Sequence, residues 1–108
     1  MEIFGGTTKL TKILAKPELI KKNYGKLTQK IMARLDEFAA ARTLRDIPST
    51  PPPRRHALKG ERRGQFAVTV SGNYRLVFEG YDKNDQLSVD IDKITTISII
   101  SIEDYHKN

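Results

Sequence analysis

The chain has 108 residues, no cysteine and a formal net charge of +6. That length suits one domain with its own core, spanning residues 1–108, and the lack of thiols excludes disulfides, thiolate metal sites and cysteine nucleophiles. The charge is unevenly divided: residues 1–64 hold fifteen Lys and Arg against six Asp and Glu, a net +9, whereas residues 65–108 hold four against seven, a net −3. A basic N-terminal half and central loop favour polyanions through steering and counterion release, which points to nucleic acid, the ribosome or an acidic protein partner. The plainer reading is a set of solvated, Lys-rich helix faces. The opening "MEIFGGTTKL" has no apolar signal-peptide core and no stretch is long enough to span a bilayer, so a cytoplasmic protein with no membrane contact is expected.

In chain order, "EIF" is a short strand ended by Gly5-Gly6, and Thr7 or Thr8 caps a helix with Leu10, Ile13 and Leu14 on one face. Pro17 then opens a second helical segment, or a continuation past a kink, which stops at Gly25. From Lys26 to about Arg42, the spacing of Leu27, Ile31, Leu35 and Phe38 predicts an amphipathic helix, and the two segments meeting at Gly25 form an antiparallel hairpin. Residues 43–58, with Pro48 and Pro51 to Pro53, are a stiff connecting loop. The period then changes from helical to alternating. "QFAVTV" and "YRLVFEGY" are two strands joined by a tight turn at "SGN"; "DKNDQ" is a polar turn; "LSVDI" is a short strand or a loop. "ITTISIISI" is a β-branched strand ending at Ile102 and, with apolar side chains on both faces, the one expected to be most buried. The expected fold class is α+β, an N-terminal helical hairpin packed on a twisted antiparallel sheet of three to four strands.

Three places hold groups suited to acid-base or phosphate chemistry: His56 and Lys59 before the first long strand, Arg75 within the second, and Asp104, Tyr105 and His106 after the last. Two imidazoles, an amine, a guanidinium and a phenol suit RNA cleavage, because the ribose 2′-OH is the nucleophile. The protein then supplies proton transfer and fixed positive charge, and needs no cofactor or metal. Each residue also has an ordinary reading: surface histidines, a solubilising Arg75, a Tyr105 that covers the core edge, an Asp104 that caps a turn. "KGERRG" lacks the context of a phosphate-binding glycine loop, and Asp90 with Asp92 is read as a solvated face rather than a metal site.

The segment "HALKGERRGQFAVTVSGNYRLVFE", followed by "IEDYH", resembles the HigB-type toxins of bacterial toxin–antitoxin systems, within the RelE/ParE superfamily. The resemblance is strongest over residues 56–79 and 103–106. It implies a ribosome-dependent mRNA endonuclease that works without a metal, is monomeric alone and is held inactive by a cognate antitoxin, a HigA-like helix-turn-helix protein. It places His56, Lys59, Arg75, Asp104, Tyr105 and His106 on the active surface. His106 moves protons, Lys59 and Arg75 stabilise the phosphate, Tyr105 orients the nucleotide, and Asp104 and His56 support the arrangement or take part in it. Charge and position add Arg54, Arg55, Arg62 and Arg63 as RNA contacts, and Tyr74 joins them as the aromatic beside Arg75. This chain departs from many relatives in having Phe66 and Tyr74 where they carry Trp, in lacking a basic residue near Thr69, and in a longer stretch over residues 82–96. Two other readings stay open: a ParE-like toxin that binds DNA gyrase and cuts nothing, and an RNA- or ribosome-binding module with weak catalysis.

Overall fold

The structure, a computed structural model, describes residues 1–105. Three helices follow a short opening strand. Helix α1 (Thr8–Leu14) begins where the Thr7 hydroxyl accepts from the Leu10 N–H at 3.1 Å. Helix α2 (Pro17–Tyr24) is a new segment with Pro17 in its first turn, where the missing N–H has no intrahelical partner to lose. Gly25, at φ 53°, reverses the chain through a short 3-10 turn (Gly25–Leu27) into α3 (Thr28–Ala40). The hairpin is therefore α2–α3. Helix α3 buries Ile31 and Phe38 as its period requires, but also Arg34, whose Nε donates to the Thr69 carbonyl at 2.8 Å and which pairs with Glu37.

The sheet consists of β1 (Glu2–Gly5), β2 (His56–Ala57), β3 (Phe66–Ser71), β4 (Tyr74–Tyr81), β5 (Leu87–Ser88) and β6 (Thr96–Asp104). Their spatial order is β1-β6-β4-β3-β2, with the two-residue β5 beside the end of β4. The three long strands β3, β4 and β6 are antiparallel, whereas β1 adds a short parallel edge to the first half of β6, pairing Glu2 with Thr96 through Gly5 with Ile99.

All three helices lie on one face, where Ile20, Ile31 and Phe38 meet Phe66, Val68, Leu76, Phe78, Ile97 and Ile99. Phe78 sits at the centre: Phe38 meets it edge-on with ring centroids 5.1 Å apart, and Phe66 stacks on it at 5.7 Å. Among the described residues, the opposite face carries a small apolar cluster of Leu58, Ala67 and Val77, with Ile100 at its margin. That face is otherwise polar. No helix among the described residues is long and apolar enough to cross a membrane.

Two expectations need correction. Strand β6 runs two residues past Ile102, and it is not the most buried strand: Ile97 and Ile99 are buried, but Ile100 and Ile102 are only partly so. The reason is its neighbour, since β1 ends opposite Ile99 and leaves the outer edge of the second half bare. Ala67 and Val68 on β3 and Leu76, Val77 and Phe78 on β4 are as enclosed as Ile97 and Ile99, and on β4 the enclosure runs through three consecutive residues, because β3 and β6 cover that strand on both sides.

Residues 82–96 form a turn in which the Asp82 carboxylate accepts from the Asn84 and Gln86 N–H groups, then β5, then a segment that drops Ile94 into the core. Ile94 packs directly under Gly80, where an added Cβ would stand 2.5 Å from its Cδ1. Gly80→Ala is expected to lose about 1–3 kcal/mol through overpacking, measured by urea unfolding. Combining it with Ile94→Val, which removes that Cδ1, should recover part of the loss; additive losses in the double variant would refute the contact as the cause.

Candidate functional site

The pairing of β2, β3, β4 and β6 aligns side chains in rows on the open face, because residues directly opposite in a ladder point the same way. One row is His56, Ala67, Val77 and Ser101; the next is Thr69, Arg75 and Glu103. At a strand spacing of about 4.8 Å, Arg75 is one strand from Glu103, while His56 lies two strands and one row away, about 12 Å between backbones. Arg75 and Glu103 share this face only because β6 has an irregularity opposite Val77 and Phe78: Phe78 faces Ile99 and Val77 faces Ser101, so Ile100 is an extra residue. It flips the alternation, sending Ile97 and Ile99 to the helices but Ser101 and Glu103 to the open face.

A loop folds over this face from the β2 side. Leu58 packs on Ala67 and Val77, its N–H donates to the Gln65 carbonyl at 2.9 Å, and between them Gly60 (φ 66°) opens the 3-10 turn Gly60–Arg62. Arg62 leaves that turn with its Nε bonded to Gln65 Oε1 at 3.1 Å. Its guanidinium then reaches across to Glu103, with Nη1 on Oε1 and Nη2 on Oε2, the latter at 3.2 Å. Arg75 Nη2 donates to the same Oε1 at 3.4 Å, and the Ser101 hydroxyl donates to Oε2. The Tyr105 ring lies 5.2 Å from the Arg75 guanidinium carbon, a cation–π contact, with the Tyr105 N–H bonded to the Asn73 carbonyl.

One carboxylate thus gathers two guanidiniums and a hydroxyl in a partly shielded place, with Arg75 only 17% exposed. Its acidity follows. The Glu103 carboxyl is pulled down to about 2, mainly by the hydrogen bonds from Arg62, with Ser101 and Arg75 adding to the effect and partial burial working against it. A carboxylate that acidic is too weak a base to take a proton near neutrality. The cluster's chemistry is instead that of two convergent cations with one compensating charge, suited to an anion such as a phosphodiester.

Of the residues the sequence singled out, Arg75 and Tyr105 are in contact. His56 is exposed on the same face, its Nδ1 2.9 Å from the Arg54 carbonyl oxygen, and Lys59 is exposed just before the Arg62 turn. Asp104 is opposite Tyr74, and alternation puts both on the other side of β4 and β6 from Arg75 and Glu103. His106 lies outside the described residues. Arg54 and Arg63 are exposed. Arg55 is half-buried and holds the proline loop by donating from Nε to the Ile47 carbonyl at 2.8 Å; burial, and secondarily Arg45, disfavours its charge. Asp92 pairs with Arg45, which holds its carboxyl below the usual carboxylate range, and its N–H donates to the Asp90 carboxylate. Glu103 was not foreseen. Ending the last strand at Ile102 stopped the alternation one residue short of the position that faces Arg75.

The hub carries a pH signature. Glu103 is held ionised below its ordinary value of 4.5, so its contribution to stability is complete above that value and disappears as pH falls toward about 2. Glu103→Gln should lower stability at neutral pH and flatten the loss between about 4.5 and about 2, measured by denaturant midpoints across that range. An unchanged acid limb would show that the carboxylate is not gripped in solution.

Comparison with known proteins places the chain. A family model described as the RelE-like toxin of type II toxin-antitoxin system HigB matches residues 10–93. A search of curated proteins gave no match. Among solved structures, a YoeB/ParE toxin from Agrobacterium tumefaciens superposes with a TM-score of 0.58 over 95% of this chain and 96% of that one, at 12% sequence identity, a likeness of fold alone. The family match ends before β6, so Glu103 and Tyr105 are beyond it. Covering most of the sheet and all of α2 and α3, it shows that this chain belongs to the HigB-like family of RelE-like toxins of type II toxin–antitoxin systems, whose partner is a protein antitoxin.

Proposed function

We propose that this toxin is a ribosome-dependent mRNA endonuclease, acting without a metal and held inactive by a HigA-like antitoxin. The observation that carries the reading is the stacking of Tyr105 on Arg75, which joins the closing motif of the sequence to its mid-chain cation on one solvent-facing surface. In the reaction the ribose 2′-OH loses its proton and attacks the adjacent phosphorus, while the bond to the 5′-oxygen breaks and that oxygen is protonated. The products are a 2′,3′-cyclic phosphate and a free 5′-OH. Arg75 and Lys59 stabilise the phosphorane charge, Tyr105 stacks the nucleotide, and His106, with His56 on the same face as Arg75, moves the protons. Arg54, Arg62 and Arg63 at the mouth of the face contact RNA backbone. Asp104, on the reverse of the strand, supports the end of β6.

Induced expression tests this. Wild-type protein should arrest growth and cut messages under translation, and purified protein should cut mRNA on ribosomes to leave cyclic phosphate ends. His106→Ala should slow cleavage at least about a hundredfold, the usual size of a lost proton-transfer group, and abolish arrest. Arrest by that variant with intact messages would overturn the nuclease reading in favour of a ParE-like action on gyrase. A harmless wild type that still binds RNA would favour the weakly catalytic module.

A further inference from the structure

We propose, resting on the nuclease reading, that Glu103 is a positioning residue that fixes Arg62 beside Arg75, so that Arg62 supplies the second phosphate-binding cation that β3 lacks at Thr69. Thr69 stands directly opposite Arg75, which stands directly opposite Glu103, so a basic side chain at 69 would project beside the Arg75 guanidinium. Here that place is polar and uncharged. The Arg62 guanidinium enters the same row from above instead, arriving not along a strand but from the Gly60–Arg62 turn, and it is held there by two bonds to Glu103. Without the carboxylate, two like charges would be driven apart and Arg62, on a loop rather than a strand, would leave. With it, the two guanidiniums stay side by side on Glu103, the Arg62 side chain 33% and the Arg75 side chain 17% exposed, and the buried Arg75 Nε has no hydrogen-bond partner among the described residues. An arriving phosphate finds a preorganised fork.

The arrangement distinguishes this role from general basicity. If Arg62 only raised the positive field, moving the same charge elsewhere would serve equally well. If Arg62 only braced the fold, no charge placed at 69 could replace it. Thr69 uses its backbone, not its side chain, to meet its neighbours, its N–H donating to Pro53 and its carbonyl accepting from Arg34, so a longer side chain there leaves those bonds intact.

The test uses the full-length toxin on translating ribosomes, together with equilibrium binding of a single-stranded RNA carrying 2′-O-methyl groups, which is bound but not cut. Arg62→Gln should reduce kcat/KM about tenfold or more, as expected for one lost charge-assisted contact, and reduce the magnitude of the salt slope of RNA binding by about 0.7. Glu103→Gln should lower kcat while leaving or improving RNA affinity, because it releases positive charge but scatters it. The decisive variant is Thr69→Arg in the Arg62→Gln background, which should recover most of the lost kcat. Absence of rescue in a double variant that melts like Arg62→Gln would overturn the proposal, as would an Arg62→Gln enzyme of wild-type activity. A wild type that neither cuts nor binds RNA would instead remove the nuclease reading beneath it.

Discussion

Eight residue pairs join β4 to β6, from Tyr74 opposite Asp104 to Tyr81 opposite Thr96, and the extra residue Ile100 resets their phase midway. Before the reset, odd-numbered residues of β6 face the helices; after it, they face solvent. The hydrophobic demand of the core fixes the first half, since Ile97 and Ile99 are fully buried against Phe78 and its neighbours. The position of the bulge then decides what the second half displays. Sheet registers tolerate no partial slip where one face is buried, so Glu103 and Arg75 are locked opposite each other by packing that neither of them takes part in. The cluster inherits its precision from the core.

The same geometry separates the protein's two kinds of positive charge. Lysines from Lys9 to Lys30 belong to the helices and the turns between them, which cover the other face of the sheet from Arg75. The arginines and lysine of residues 54–63 gather around the β2 end of the open face, where one of them is already engaged by Glu103 and another, Arg55, holds the loop. The basic composition of the chain thus overstates the charge available at the site, and only the part carried by the loop is placed to act there.

Local rules were readable in the sequence wherever one residue determines one conformation. Thr7 caps, Pro17 opens a helix, Gly25 turns the chain, and the alternations of β3 and β4 give both strands and the hairpin between them. What escaped depends on contacts distant in sequence. The parallel pairing of β1 with β6 joins residues more than ninety apart, and no local pattern announces it. Arg34 looks like any exposed helix charge until Thr69 arrives beneath it. The bulge at Ile100 is hidden because a run of isoleucine satisfies either phase, and with it went the identity of Glu103 as the partner of Arg75. Arg75 and Tyr105 were visible as residue types suited to the chemistry; their meeting needed the fold.

The pairing of residues 2–5 with residues 96–99 also has a temporal meaning. A chain emerging from the machinery that makes it can assemble α2, α3 and the β3–β4 hairpin early, but the strand between β1 and β4 is the last to appear. Until it does, Arg75 has neither its carboxylate nor its aromatic cover, and the sheet has a gap at its middle. The Arg62–Glu103–Arg75 cluster is therefore assembled only when β6 closes the sheet, after the other five strands have been made.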